Sequence, residues 1–433
     1  MTGKNSDKTC ALFWDESFLW GLIARRSLAD AGLPFDLIRA EDIRAGRLAR
    51  YRMIFVPGGW ASDKLAALGA PGQAALRAFV EGGGAYLGIC GGAGLATEKD
   101  MGLVGVQRKP TPERVPSFSG RIRLTLADHE IWAGIPSPVF SAWWPLQFHL
   151  PAGHTLHIAA SYAEALPDAM SADVRVSRGQ KQGWPALEER YGILLDPLRL
   201  QNEPAVVEGK FGKGKVLLSL VHFDTPGDAS GAAVLCNLWS YLMPGYPRPE
   251  KPLPIADAAA GDECALADLR RAVGDLIAAG EQYRLWRRRN PWLLEWRRGV
   301  RGMEYSTLAA LTDEIAARFS SAAPLCNAGG KRLSCDLRND LSAVRELIAP
   351  FCAKAEQLLE REKTILAEEA APPALPADDR INRLRAELFG TSLRHGGSFR
   401  PLIAAMDRLL YKLFTAEKTS AASPAARIRN ISP

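Results

Sequence analysis

Residues 85–96 read "AYLGICGGAGLA". The apolar run AYLGI, preceded by EGGG, has the length and the boundaries of a buried strand. After Cys90 come small residues and then LATEKDMG, which can open a helix. A strand, a sharp turn and a helix make a nucleophile elbow. Glycines flank the reactive residue there because the turn forces unusual backbone angles and brings strand and helix close together. A thiol at that point sits at a helix N-terminus, where the dipole and the free N–H groups favour thiolate. The same residues also suit a small buried cysteine in a Gly-rich turn. The rest of the chain has to decide.

On the N-terminal side, strand and helix signals alternate. TCALFW (9–14) reads as a strand, and ESFLWGLIARRSLADAG as an amphipathic helix closed by Gly32. FDLIRA and RMIFVPGG (52–59) are further strands, and PGQAALRAFVEGGG is a helix with Pro71 in its first turn. This alternation predicts an α/β fold, a mostly parallel sheet doubly wound with helices on both faces. Sites in such sheets lie at the carboxyl ends of the strands, which brings Pro57-Gly58-Gly59 and Cys90 to one edge. From about 117 to 222 the pattern turns to β and ends in a hairpin, PAVVEGKFGKGKVLLSLVHFD (204–224). Its strand KVLLSLV is expected to run directly into His222. The segment GDASGAAVLCNLWSYLM that follows reads as a helix.

A cysteine nucleophile needs a base within hydrogen-bond reach and a third group to orient the base. His222 ends an apolar strand and Asp224 follows two residues later, close enough to turn back and fix the imidazole tautomer. The backbone N–H groups of the VPGG loop and of Gly91 can serve as oxyanion donors.

VPGG (56–59), GICGG (88–92) and GKGKVLLSLVHFD (212–224) together resemble the three signature segments of class I glutamine amidotransferase-like domains. Within that superfamily, PGGW…FVEGGGAYLGICGGAGLA is most similar to the N-terminal domain of some biotin-protein ligases, a domain that also occurs without any ligase. The resemblance covers about residues 8–245. It implies a flavodoxin-like fold with Cys90 as nucleophile, His222 as base and Asp224 as orienting acid, and with Gly58, Gly59 and Gly91 around the oxyanion. Asp224 stands where the family usually has glutamate. Gly94 stands where glutamine-using members carry a Gln, which puts glutamine hydrolysis in doubt. The superfamily also contains members with the elbow and no demonstrated reaction, so a non-catalytic binding or scaffold protein is the alternative.

Composition bounds the remainder. The 433 residues, 47% hydrophobic and 24% charged, describe a folded chain of two or three domains. No apolar run reaches transmembrane length, and the N-terminus lacks the apolar core of a signal peptide. Seven cysteines, an odd and scattered set, argue against a disulfide framework and for a reducing, cytoplasmic setting. A net charge of +6 is too small at this length to imply nucleic acid by itself. The expected organisation is an α/β domain over 1–245 and a Pro-rich linker over 246–256. A helical domain over 257–417, interrupted by a linker at 367–379, and a disordered tail over 418–433 complete it.

Other residues invite a function. SAWWPLQFHLP (141–151) offers Trp143, Trp144 and Gln147 as pocket-lining residues, or as aromatic cover for a sheet edge. Asp15 and Glu16 follow the first strand, where Asp15 is read as a helix cap. His154 and His157 sit in strand-like sequence and point to opposite faces, so no metal site is expected. KFGKGK joins two strands and is a hairpin turn rather than a phosphate loop. Within the helical half, YRLWRRRNPWLLEWRRGVRGMEY (283–305) carries seven arginines and three tryptophans. A helix of that composition suits an acidic protein partner, and nucleic acid or a membrane surface less well. It is equally a solvated helix whose tryptophans pack on the bundle while its arginines pair with nearby acids. Cys264, Cys326, Cys335 and Cys352 lack zinc-site spacing. The overall expectation is a Cys-His-Asp amide hydrolase or transferase acting on a small-molecule or peptide amide without a cofactor.

Overall fold

MIFV (53–56) forms a strand because it is apolar throughout, and the sheet it enters is covered on both faces. In the computed structural model, which describes residues 8–246, 266–322, 331–368 and 378–421, this strand is β3 (Tyr51–Val56), and its Ile54, Phe55 and Val56 are fully buried. With β1 (Lys8–Phe13), β2 (Asp36–Ile38), β4 (Ala85–Ile89) and the strand Gly214–Ser219 it makes a parallel block. Its order is β2-β1-β3-β4 and then Gly214–Ser219. Helices α1 (Phe18–Asp30), α2 (Ala40–Arg44) and α3 (Ala61–Glu81) make the crossovers. Gly69 breaks α3 with φ 60° and ψ 173°, so Pro71 stands in the first turn of a second helical segment where it is tolerated.

Beyond Gly214–Ser219 the eleven-stranded sheet becomes antiparallel, through Pro204–Phe211, His157–Ala165 and Phe118–Leu126. The hairpin closes with Phe211 opposite Gly214, and Gly212 supplies φ 57° at the turn. Two helices within this region, Val176–Gln182 and Trp184–Tyr191, depart from its β-like pattern. The closing strand also ends earlier than expected. Ser219 Oγ donates to Val221 O at 2.7 Å and accepts from Val221 N at 3.2 Å. The chain bends there and reaches His222 by an isolated bridge to Ser141.

The chain divides into two compact units, Met1–Ile255 and Ala256–Pro433. The second contains the helices Ala267–Gln282, Gly302–Ala322, Lys331–Glu368, Asp379–Phe389 and Phe399–Ala421. Two of these reach into 367–379 from either side, and residues 418–421 are helical rather than part of a disordered tail. Residues 247–256, 369–377 and 422–433, with Cys264, Cys326 and the Cys335 side chain, lie outside the described residues.

The arginine–tryptophan run is not a helix. It forms an antiparallel ribbon, Trp286–Arg288 with Leu294–Trp296, turned at Asn290-Pro291. There Asn290 Oδ1 accepts the N–H groups of Trp292 and Leu293 at 2.9 and 2.8 Å, an Asx-type turn that stops helix formation. Trp286 is buried and packs on Tyr305. Arg287, Arg288 and Arg301 pair with Glu295, Glu281 and Glu304, which offsets three of the run's seven arginine charges. Among the described residues, no helix is long and apolar enough to cross a membrane.

Candidate active site

Cys90 follows β4 and caps the five-residue helix α4 (Gly91–Leu95), with φ 52° and ψ −107°. A non-glycine residue there costs on the order of 1–3 kcal/mol and must be held in place. The Cys90 N–H is fixed on Ser219 O at 2.8 Å, and the Cys90 carbonyl accepts from Gly94 N at 2.9 Å. Its Sγ lies 3.8 Å from Trp143 O. The helix expected to continue into LATEKDMG stops after little more than one turn.

The loop after β3 lies directly against this elbow. A Cβ on Gly91 would stand 1.7 Å from Gly59 O, and one on Gly59, whose φ is 109°, would stand 2.6 Å from Glu16 O. Only glycine permits both approaches. Gly58 faces Trp20, whose Cγ would be 2.8 Å from an added Cβ. The backbone of Gly58, Gly59 and Gly91 is therefore gathered beside the thiol.

His222 and Asp224 are completely buried, and His222 Nδ1 is 2.9 Å from Asp224 Oδ1. That contact places the proton on Nδ1 and leaves Nε2 as the acceptor. Nε2 makes no hydrogen bond of ordinary geometry among the described residues, yet Cys90 lies close enough to raise its proton affinity. Burial opposes the imidazolium, and the charge and hydrogen bond of Asp224, together with Cys90, outweigh it. The net result is a His222 pKa pushed up to about 10. Backbone contacts hold the pair: His222 N donates to Ser141 O at 2.7 Å, and Ser27 Oγ of α1 donates to Asp224 O at 2.7 Å.

Three residues complete this environment without any signal in the signature segments. Trp20, on α1, tilts over the His222 ring with centroids 4.8 Å apart and meets Trp144 edge-on at 6.5 Å. Lys64, on α3, is fully buried, bonds to Ser17 Oγ and lies beneath Gly59. Tyr162 is buried, and its phenol is pushed well up by burial and then by Cys90 and Glu203.

The expected pocket residues separate. Trp144 has φ 50° and joins the aromatic cover through Trp20, while buried Trp143 presents its carbonyl to the thiol. Gln147 is buried. It is 1% exposed, and its Oε1 accepts Val115 N at 2.8 Å while its backbone carbonyl accepts Lys109 N at 2.9 Å, so it ties two segments together. Beside Gly94, an added Cβ would meet Leu146 Cδ2 at 3.0 Å, and a glutamine there would have to displace that leucine. Asp15 caps, but the helix is α2 rather than α1: its carboxylate accepts Ala40 N at 2.6 Å and pairs with Arg39 at 2.7 Å.

His157 has partners after all, though not His154. It stacks on His129 with centroids 5.4 Å apart and stands opposite Glu208 in the sheet. The possible ligand atoms of these three residues fall within 4.8 Å of one another. His129 Nδ1 accepts Ile131 N at 3.2 Å, which leaves Nε2 protonated and bonded to Glu208 at 3.0 Å. An imidazole so committed has no lone pair at Nε2 for a metal, and near-parallel stacked rings do not aim at one point. The cluster is a hydrogen-bonded cap, completed by Tyr241 donating to Glu208 at 2.6 Å.

No family model matches the sequence, and no curated protein does. Solved structures are similar to this chain at low identity and low TM-score. A protein described as a GMP synthase component from Thermoplasma acidophilum is 15% identical, with 54% of this chain and 94% of that one covered and a TM-score of 0.35. PurLQS from Thermotoga maritima is 13% identical, with 55% and 99% covered and a TM-score of 0.37. A β-galactosidase from Bacillus circulans is 13% identical over 54% of this chain and 30% of its own, with a TM-score of 0.33. The site itself carries the functional argument.

Proposed function

We propose that the N-terminal unit is a cysteine-dependent amide hydrolase or amidotransferase of the class I glutamine amidotransferase-like type, using Cys90, His222 and Asp224. The observation that carries this reading is the strained Cys90 backbone set beside a fully buried His222–Asp224 pair. A merely structural cysteine needs neither the strain nor two buried polar side chains. The PGGW and AYLGICGGAGLA segments support kinship with the biotin-protein ligase N-terminal domain, and the free cysteines Cys10, Cys90, Cys236 and Cys352 support a reducing compartment.

In this mechanism the Cys90 thiolate attacks the amide carbonyl carbon, and the carbonyl oxygen takes up the negative charge beside the Gly59 and Gly91 backbone. The His222 imidazolium gives its Nε2 proton to the leaving nitrogen as the C–N bond breaks, which leaves a thioester and a free amine. His222 then removes a proton from water or an acceptor amine. That nucleophile attacks the thioester, and the thiolate leaves. Asp224 holds Nδ1–H throughout.

Acylation by 4-nitrophenyl acetate tests the reading without knowledge of the substrate. The expected result is a burst of one nitrophenolate per chain, an acetyl adduct on Cys90 by mass spectrometry, and loss of both in Cys90→Ala and His222→Ala. A burst that survives in Cys90→Ala would refute it.

A further inference from the structure

The segment that faces the thiol also anchors a guanidinium that the mechanism above does not use. Arg114 belongs to the segment 107–115, which Gln147 ties to the segment 143–149 through Lys109 N and Val115 N. Gln107 and Arg108 also pair with His149 and Phe148 in a short antiparallel ladder. The second segment carries Trp143, whose carbonyl faces Cys90 Sγ, and two residues later Pro145, whose carbonyl accepts Arg114 Nη1 at 3.3 Å. Arg114 is thus anchored close to the thiol's own contact, and only one of its five N–H donors is occupied by that anchor.

Its neighbours are neutralised. Arg108 pairs with Asp100 and Lys109 with Glu203. Arg114, half-buried, has no carboxylate partner among the described residues. Burial and the nearby Arg108 both work against its charge, and Cys90 works in its favour. A planar cation held in that position is suited to a carboxylate, which it can grip with two parallel hydrogen bonds. The wall on the Gly94 side is formed by Leu146, with Arg108 Nη1 3.8 Å from where a Cβ would stand. That wall is apolar at Leu146, and its Arg108 charge is already paired with Asp100.

We propose that Arg114 is an anion subsite next to Cys90, so that the substrate carries a carboxylate close to the amide it loses. This rests on Cys90 being the nucleophile, and the test separates the two claims. The full-length protein is alkylated in parallel with iodoacetate and iodoacetamide, which form the same S–C bond with loss of iodide and differ in charge. Rates are followed by mass spectrometry at Cys90 and at the half-buried Cys236 of the same chain. The iodoacetate-to-iodoacetamide rate ratio is expected to be about tenfold higher at Cys90 than at Cys236, to fall toward the Cys236 value in Arg114→Gln or at high salt, and to be partly kept in Arg114→Lys. Should Arg114→Gln fail to fold, the salt dependence of the wild-type ratio decides. Equal ratios at the two cysteines, with Cys90 reactive toward both reagents, overturn the subsite and leave the nucleophile standing. A Cys90 inert to both reagents overturns the nucleophile itself.

Discussion

Replacing Asp224 with Asn removes one charge from a fully buried pair while keeping its volume, and the consequence should be large. His222 stands at about 10 against an ordinary 6.5, a difference worth roughly 5 kcal/mol. That net rise survives a burial penalty acting in the opposite direction, and Asp224, at 2.9 Å, is the foremost group producing it. Without the carboxylate, burial dominates, and His222 should fall below its ordinary value. The assay is a proton NMR titration of the imidazoles. The chain has six histidines, few enough to assign His222 by substitution. Stability follows the same proton. A histidine whose folded pKa is raised contributes fully below its unfolded value and loses that contribution as pH climbs through the folded one. The wild type should therefore lose stability between about pH 6.5 and 10, and Asp224→Asn should flatten that loss. Acylation by 4-nitrophenyl acetate should drop by roughly 10²- to 10⁴-fold. A His222 titrating near its ordinary value in both proteins would refute the reasoning.

Other expectations are independent of that pair. Gly91→Ala would drive a Cβ to 1.7 Å from Gly59 O, and since backbone must move, a loss of at least ~2 kcal/mol in thermal stability, together with loss of acylation, is expected. An unchanged melting temperature would contradict the close approach. In the helical unit, burial raises the Glu362 carboxyl to about 7 against the pull of Arg385. The neutral acid is thus favoured in the fold, and stability worth about 3 kcal/mol should be lost as pH rises from about 4.5 through 7. In Glu362→Gln, the difference in melting temperature between pH 5 and pH 8 should shrink. An unaltered difference would assign the pH dependence elsewhere. Burial pushes the Cys352 thiol up to about 12, so at pH 7 it should remain unlabelled while Cys90 reacts, as peptide mass mapping would reveal.

The elbow was legible because its chemistry is local. Small residues on both sides of Cys90 and a histidine two residues before an acid are contiguous patterns, and the structure brings both to the ends of neighbouring strands. What surrounds them was not legible. Trp20, Lys64 and Arg114 reach the site from α1, α3 and a loop, and nothing in their own segments distinguishes them from residues that merely pack. The Gln147 contact was hidden for the same reason, since its partner Val115 is 32 positions away. The arginine-rich run failed differently: its apolar spacing suited a helix, while Asn290-Pro291 carried the turn signal that prevailed. Composition allowed either a basic surface or arginines paired with nearby acids, and Arg287, Arg288 and Arg301 are paired, with Glu295, Glu281 and Glu304.

The most direct test of the account is the pH dependence of Cys90 alkylation by iodoacetamide, compared between wild type and His222→Ala with the label located by mass spectrometry. The account predicts rapid labelling of Cys90 in the wild type well below pH 8, where free cysteine with its pKa of about 8.5 reacts slowly, and suppression of that low-pH labelling in His222→Ala. A slow Cys90 that is indifferent to His222 would contradict it and make the fold a binding scaffold.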